Sequence, residues 1–156
     1  MEKYILSEMT RKNFSKAVNE IYLLTDFNHN QYPEYWKWYY QKSIPRVING
    51  QGDIIFYLDG FVVAGLAILK KDIEEAKICT LLINKEYRKK GYGKELLESS
   101  FEYLGTSKPL ITIPTKRIEE FQKIITAYDW KESIRTNDYF SEEIIFNQPK
   151  KRLLKK

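Results

Sequence analysis

The sequence predicts a mixed α/β domain, a single mixed sheet with helices on both faces. Three observations predict it. Apolar runs rich in β-branched residues fall at Asp53–Leu58, Phe61–Leu69, Lys77–Ile83 and Leu110–Ile113. Segments with apolar residues at helical spacing lie before the first of these runs and after each of the last two. The resulting order, β, α, α, β, β, β, α, β, α, β, β, lets helices cover both sheet faces. At 156 residues, with 43% hydrophobic residues, the chain is long enough for one domain with a true core. That domain is expected over residues 1–147, followed by a basic, flexible tail at 148–156.

The elements follow in order. Tyr4-Ile5-Leu6 reads as a short first strand. Thr10 is a plausible N-cap for a helix carrying Phe14, Ala17, Val18, Ile21 and Leu24. A polar stretch at Asp26–Asn30 reads as a loop. Tyr32–Gly50 is a second helical region, with Pro33 near its start and Pro45 ending or kinking it. Asp59-Gly60 between two apolar runs is a hairpin signal. The run at Lys77–Ile83 reads as a buried strand, reached through the charged segment Lys70–Ala76. Leu96, Leu97, Ser100, Phe101 and Leu104 then recur at helical spacing, and Gly105 stops that helix. After the strand at Leu110–Ile113, Thr115–Tyr128 is helical, with Ile118, Phe121, Ile124 and Ile125 on one side. Trp130–Arg135 and Tyr139–Phe146 read as a closing antiparallel pair.

Charge and composition narrow the function. The net charge is +5, but Lys150, Lys151, Arg152, Lys155 and Lys156 of the tail account for it and the body is balanced. No nucleic-acid-binding face is therefore expected on the domain, and only the tail offers a contact to RNA. The lone Cys79 excludes an internal disulfide and fits a reducing cytoplasm. No cluster with metal-ligand spacing and no membrane span is present.

The richest stretch is Arg88-Lys89-Lys90-Gly91-Tyr92-Gly93, after a strand and before a helix. Glycine lets backbone N–H groups approach a ligand, and a helix start adds unpaired donors and a partial positive charge. With Lys94 this is a cradle for a phosphorylated ligand. It is not a P-loop, which needs Gly-x4-Gly-Lys-Ser/Thr. Nor is it a dinucleotide fingerprint, because Leu96 stands at the third glycine position.

The string Leu81-Leu82-Ile83-Asn84-Lys85-Glu86-Tyr87-Arg88-Lys89-Lys90-Gly91-Tyr92-Gly93-Lys94-Glu95-Leu96-Leu97 resembles the acetyl-CoA motif of the GCN5-related N-acetyltransferase (GNAT) family. The element order resembles that fold too, including two helices between the first two strands. The resemblance implies a mostly antiparallel sheet and an enzyme that moves an acetyl group from acetyl-CoA to an amine of a small molecule or protein by direct attack. Backbone N–H groups of Lys89–Lys94 would hold the pyrophosphate, with Arg88 at the start of the turn. The backbone of Leu82 and Ile83 would pair with the pantetheine amides, as a peptide adds to a sheet edge. The N–H near Ile83 would polarise the thioester carbonyl.

The chain departs from the family at the general acid. The usual tyrosine position is occupied by Ile125. Glu75, Tyr128 and His29 are the candidate catalytic groups, each with a structural reading beside it: a solvated loop carboxylate, a core-edge tyrosine and an incidental loop histidine. Six aromatics crowd Tyr32–Tyr40. Glu34, Trp36 and Tyr40 are candidates to line an acceptor site or cage a cation, and a homodimer contact is the alternative. Ile125 also motivates an acyl-CoA-binding sensor, and the tail an acetyltransferase acting on charged tRNA or a ribosomal protein.

Overall fold

The structure is a computed structural model that describes residues 1–26, 32–136 and 142–149. Seven strands form one sheet among the described residues: β1 (Glu2–Ile5), β2 (Gly52–Asp59), β3 (Val62–Lys71), β4 (Ala76–Ile83), β5 (Leu110–Pro114), β6 (Glu132–Thr136) and β7 (Glu143–Phe146). Their order in space is β1-β2-β3-β4-β5-β7-β6. Only β4 and β5 run parallel; every other neighbouring pair is antiparallel. The mixed, mostly antiparallel sheet expected from the sequence is the one found.

Alternation along the strands sorts their side chains to two faces. One face packs Ile54, Phe56, Leu66 and Ile68 under α1 (Arg11–Thr25), α2 (Tyr35–Trp38) and α3 (Ile44–Ile48). The other packs Ile55, Ala67, Leu69 and Ile78 under α4 (Tyr92–Leu104) and α5 (Ile118–Ala127). The Thr10 hydroxyl accepts from the Asn13 N–H at 3.4 Å, as expected of an N-cap. Gly105 closes α4 with φ of 75°, its N–H reaching Phe101 O at 2.8 Å.

Pro45 neither ends the second helical region nor simply kinks it. A π-helical segment at Tyr39–Ser43 joins α2 to α3, and the Ile44 N–H bonds Tyr39 O. Proline has no N–H for the carbonyl one turn back and its ring crowds that carbonyl. The wider turn just before it makes room, and the helix runs on to Ile48. The crowded aromatics divide by period: Tyr35 and Tyr39 are buried, while Trp36 and Tyr40 face outward. In the closing pair, the expected strand start at 139–141 lies outside the described residues, as do His29 and residues 150–156.

Asp53, buried at the start of β2, pins the chain after β1. It accepts from the Ser7 N–H at 3.1 Å, from the Ser7 hydroxyl, and from the Ile54 N–H at 2.9 Å.

Candidate functional site

The parting of β4 from β5 creates the site. They pair only at Lys77–Leu110 and Ile78–Ile111. Beyond Ile111, β5 pairs with β7 on its other side and leaves the rest of β4 without a partner on that edge. The parting begins at a bulge. Against β3, Ile78 pairs with Leu69 and Thr80 with Ile68, so Cys79 is an inserted residue. Burial raises the pKa of the Cys79 thiol, which packs as a small apolar filler against the α1–α3 face.

The backbone direction past the bulge follows from register. The Asn84 N–H bonds Ala64 O at 2.8 Å, across β3. Residues two apart share an edge in an antiparallel ladder, so Leu82 also turns its backbone to β3. Leu81 and Ile83 turn theirs to the open edge. Of the two residues expected to face a pantetheine, Leu82 thus turns its backbone to β3 and Ile83 turns its backbone to the open edge, where Leu81 joins it.

At the end of β4 a one-turn 3₁₀ segment, Lys85–Tyr87, leads into the basic loop. Two left-handed residues shape that loop, Lys89 with φ of 62° and Gly91 with φ of 86°. Gly91 is the N-cap of α4, and the Glu95 N–H is the first to find a helical carbonyl, at 3.2 Å from Gly91 O. The N–H groups of Tyr92, Gly93 and Lys94 therefore point out of the helix start. A Cβ built at Gly91 meets nothing within 4 Å, so the concavity in front of the loop is open. Arg88 is tied to the strand end, its Nε donating to Ile83 O at 3.1 Å. Lys94 is only loosely paired with Glu98, at 3.9 Å on an exposed surface.

The loop is braced from β2. The Tyr87 hydroxyl donates to Asp59 Oδ2 at 2.7 Å, and Lys90 Nζ lies 5.9 Å from the Tyr87 ring centre. The hydrogen bond to Asp59, with partial desolvation, pushes the Tyr87 pKa up to about 12. Where β4 meets the loop there is a cleft of about 240 Å³ with Leu24, Val63 and Leu82 on its apolar side and Asn84, Lys85 and Arg88 on its polar side. Gly65 forms part of its floor because β3, β4 and α4 meet there: a Cβ would lie 2.8 Å from Ile83 Cδ1 and 3.1 Å from Leu82 O.

The other candidate residues among those described do not converge on this cleft. Glu75 holds Lys70 at 2.6 Å in the β3–β4 turn. It sits at the opposite end of β4 from Ile83, roughly 25 Å away at the rise of an extended strand. Tyr128 caps α5 and packs edge-on against Phe101, with ring centres 4.9 Å apart. Glu34 pairs with Lys37 at 3.1 Å on the surface. Trp36 is exposed beside Lys37, and the Tyr40 hydroxyl donates to Asn19 Oδ1 at 3.1 Å. One contact escapes sequence reading. The Tyr32 hydroxyl donates to Glu143 Oε2 at 2.6 Å, joining the segment before α2 to β7. The only signal was a carboxylate opening the apolar run Ile144-Ile145-Phe146.

A sequence profile of the Acetyltransferase (GNAT) family matches residues 16–108. No curated protein sequence matches the chain. Among solved structures, a GNAT acetyltransferase from Bacillus cereus superposes with a TM-score of 0.59 at 16% identity, covering 97% of this chain and 100% of that one. A Bacillus subtilis acetyltransferase in complex with CoA gives 0.59 at 16% identity, over 93% and 95% of the two chains. The ribosomal-protein-S18-alanine N-acetyltransferase of Escherichia coli gives 0.58 at 15% identity, over 93% and 92%. At such identities the superpositions establish a common fold. The profile covers more than half of the sequence, including the parted strand, the basic loop and α4, and on that ground the chain belongs to the GNAT acetyltransferase family.

Proposed function

We propose that this chain is an N-acetyltransferase that uses acetyl-CoA as donor and an amine of a small molecule or protein as acceptor. The observation that carries the reading is the half-paired β4, whose free edge ends at a helix start with unspent N–H donors. The fit is chemical. The N–H groups of Tyr92, Gly93 and Lys94, with Arg88, Lys89 and Lys90 around them, suit a pyrophosphate. Leu81 and Ile83 offer a strand edge to the pantetheine amides. Acetyl-CoA supplies the activated acyl group, and its thioester needs no metal to react with an amine.

The chain's own contribution is then positioning. A free strand edge with a fixed register holds the donor in one orientation and sets an N–H of β4 near the carbonyl. Side-chain acid and base assistance is thin. Ile125 stands where the resemblance calls for a tyrosine, Tyr128 is packed on Phe101, and Glu75 is held by Lys70 at the far end of the strand. A thiolate is a tolerable leaving group, and solvent can protonate it.

The test is incubation of the purified chain with acetyl-CoA and a panel of primary amines, reading thiol release, alongside calorimetry of CoA. Amine-dependent thiol release supports the transferase. Tight CoA binding without release from any amine favours the second reading, an acyl-CoA sensor, for which Ile125 is the supporting observation. Removing Lys150–Lys156 tests whether the tail recruits charged tRNA or a ribosomal protein, since activity unchanged by the truncation removes that idea.

A further inference from the structure

Glu143 lies in a place where a carboxylate needs an explanation. It is only 3% exposed. The one hydrogen bond to its carboxylate among the described residues comes from the Tyr32 hydroxyl to Oε2, and no Lys or Arg pairs with it there. Its neighbour Glu142, by contrast, has Arg135 at 3.5 Å. Glutamates are rarely this buried unless a cation accompanies them, because desolvating the charge is costly. Among the described residues, no buried side-chain oxygen or nitrogen lacks a hydrogen-bond partner. Oε1 makes none, so Oε1 is the part of Glu143 that still meets solvent.

Its position relates it to the slot. Glu143 pairs with Pro114, the last residue of β5, on the stretch that has parted from β4. Continuing the β4–β5 register from Ile78–Ile111 puts Pro114 level with the middle of the free edge, about Leu81. Ile144 and Phe146 pack into the α4–α5 face. By alternation Glu143 points to the opposite face, shared with Leu82 and α1. That is one strand beyond the slot as seen from the free edge of β4, with β5 between, on the sheet face opposite α4.

We infer that Glu143, clamped through Oε2 by Tyr32, is the anionic subsite that receives a cationic acceptor, a primary ammonium presented to Oε1. This deepens the acetyl-transfer reading and rests on it. The acceptor's charge completes the ion pair that the fold leaves half-built, and Tyr32 is the positioning residue that fixes the carboxylate. Selection is then by charge: a protonated alkylamine is favoured over an uncharged arylamine of similar size.

The experiment compares the full-length chain with Glu143→Gln, which keeps an oxygen for Tyr32 and removes the charge, and with Tyr32→Phe. Thermal shifts are recorded with spermidine or lysine methyl ester, with and without CoA, against sodium chloride of equal ionic strength. Both cations are expected to raise the wild-type midpoint beyond the salt control, and Glu143→Gln to lose most of that shift. Where turnover is measurable, the ratio of kcat/KM for spermidine to that for p-anisidine should fall at least tenfold in Glu143→Gln, mainly through KM. The inference is overturned if neither cation stabilises the wild type, or if the shift and the ratio stay within twofold of wild type in the variant. Failure of the transferase reading looks different, as no CoA heat and no thiol release, and the shifts without CoA still decide the role of Glu143.

Discussion

Substituting Gly91 separates the fold from the cradle. The residue has φ of 86° and open space where a Cβ would stand. Alanine there meets no clash in the protein, so the cost to folding is the left-handed backbone alone, about 1–2 kcal/mol. For a chain of this size that is a fall in Tm of roughly 2–8 °C. Gly50 is the matched control, with φ of 75° and nothing within 4 Å of its Cβ position, and it lies outside the loop. Gly50→Ala should cost the same stability and leave CoA binding unchanged. Gly91→Glu adds a carboxylate facing the position proposed for the pyrophosphate. At ~5 Å and an effective dielectric of 20 the repulsion is about 3 kcal/mol per charge pair, and exposure halves it. With lost contact, CoA affinity should fall about ten- to hundredfold. Calorimetry with CoA, paired with thermal melts of all three variants, makes the comparison. Equal melting losses together with a Gly91→Glu affinity within twofold of wild type would refute the assignment of this loop to the pyrophosphate.

Gly65→Ala places a Cβ 2.8 Å from Ile83 Cδ1 and 3.1 Å from a backbone oxygen that cannot retreat; urea unfolding should show a loss of about 1–3 kcal/mol, with weaker CoA binding because Ile83 is displaced. Asp53→Ala removes the acceptor for the Ser7 N–H at 3.1 Å and the Ile54 N–H at 2.9 Å. It should cost about 2–4 kcal/mol in the same assay, whereas Asp53→Asn should recover part of the loss. The raised pKa of Tyr87 means the folded chain holds that proton more tightly than the unfolded chain. Its contribution to stability is therefore full below the ordinary value of 10 and is lost as pH rises through about 12. Asp59→Ala should bring the ionisation back toward 10, read by ultraviolet absorbance of the phenolate.

The local elements were legible because each carries its own period or punctuation. α4 needed only Leu96, Leu97, Ser100, Phe101 and Leu104 at helical spacing with Gly105 behind them. The hairpin needed Gly60, although its two-residue loop proves to be Gly60-Phe61, since Asp59 already pairs with Val62. The basic loop was legible because positive φ and a helix start both leave traces in residue type. What stayed hidden is non-local. The bulge at Cys79 exists only relative to Ile68 and Leu69, so nothing in Lys77–Ile83 announces it. The same ignorance of register hid that Leu81, and not Leu82, turns its backbone to the free edge of β4. Glu143 and Tyr32 meet across 111 residues of chain, and no spacing rule reaches that far. Glu75 looked available because its ion pair with Lys70 depends on a turn whose shape the charged string does not specify.

The inserted Cys79 also bears on how this chain can drift. Cys79 and Thr80 both project to the α1–α3 face, while Ile78 and Leu81 keep to the other, so the two halves of β4 stay in phase with the sheet on either side of the insertion. Replacing Cys79 with another small residue changes a side chain and leaves the extra backbone unit in place. Closing the slot would take removal of a residue: without Cys79, the pairs Ile78–Leu69 and Thr80–Ile68 become neighbours in a regular ladder, and Leu81, Leu82 and Ile83 keep their faces. The opening is thereby buffered against point substitution, and its side chains are free to vary while the gap between the strands persists.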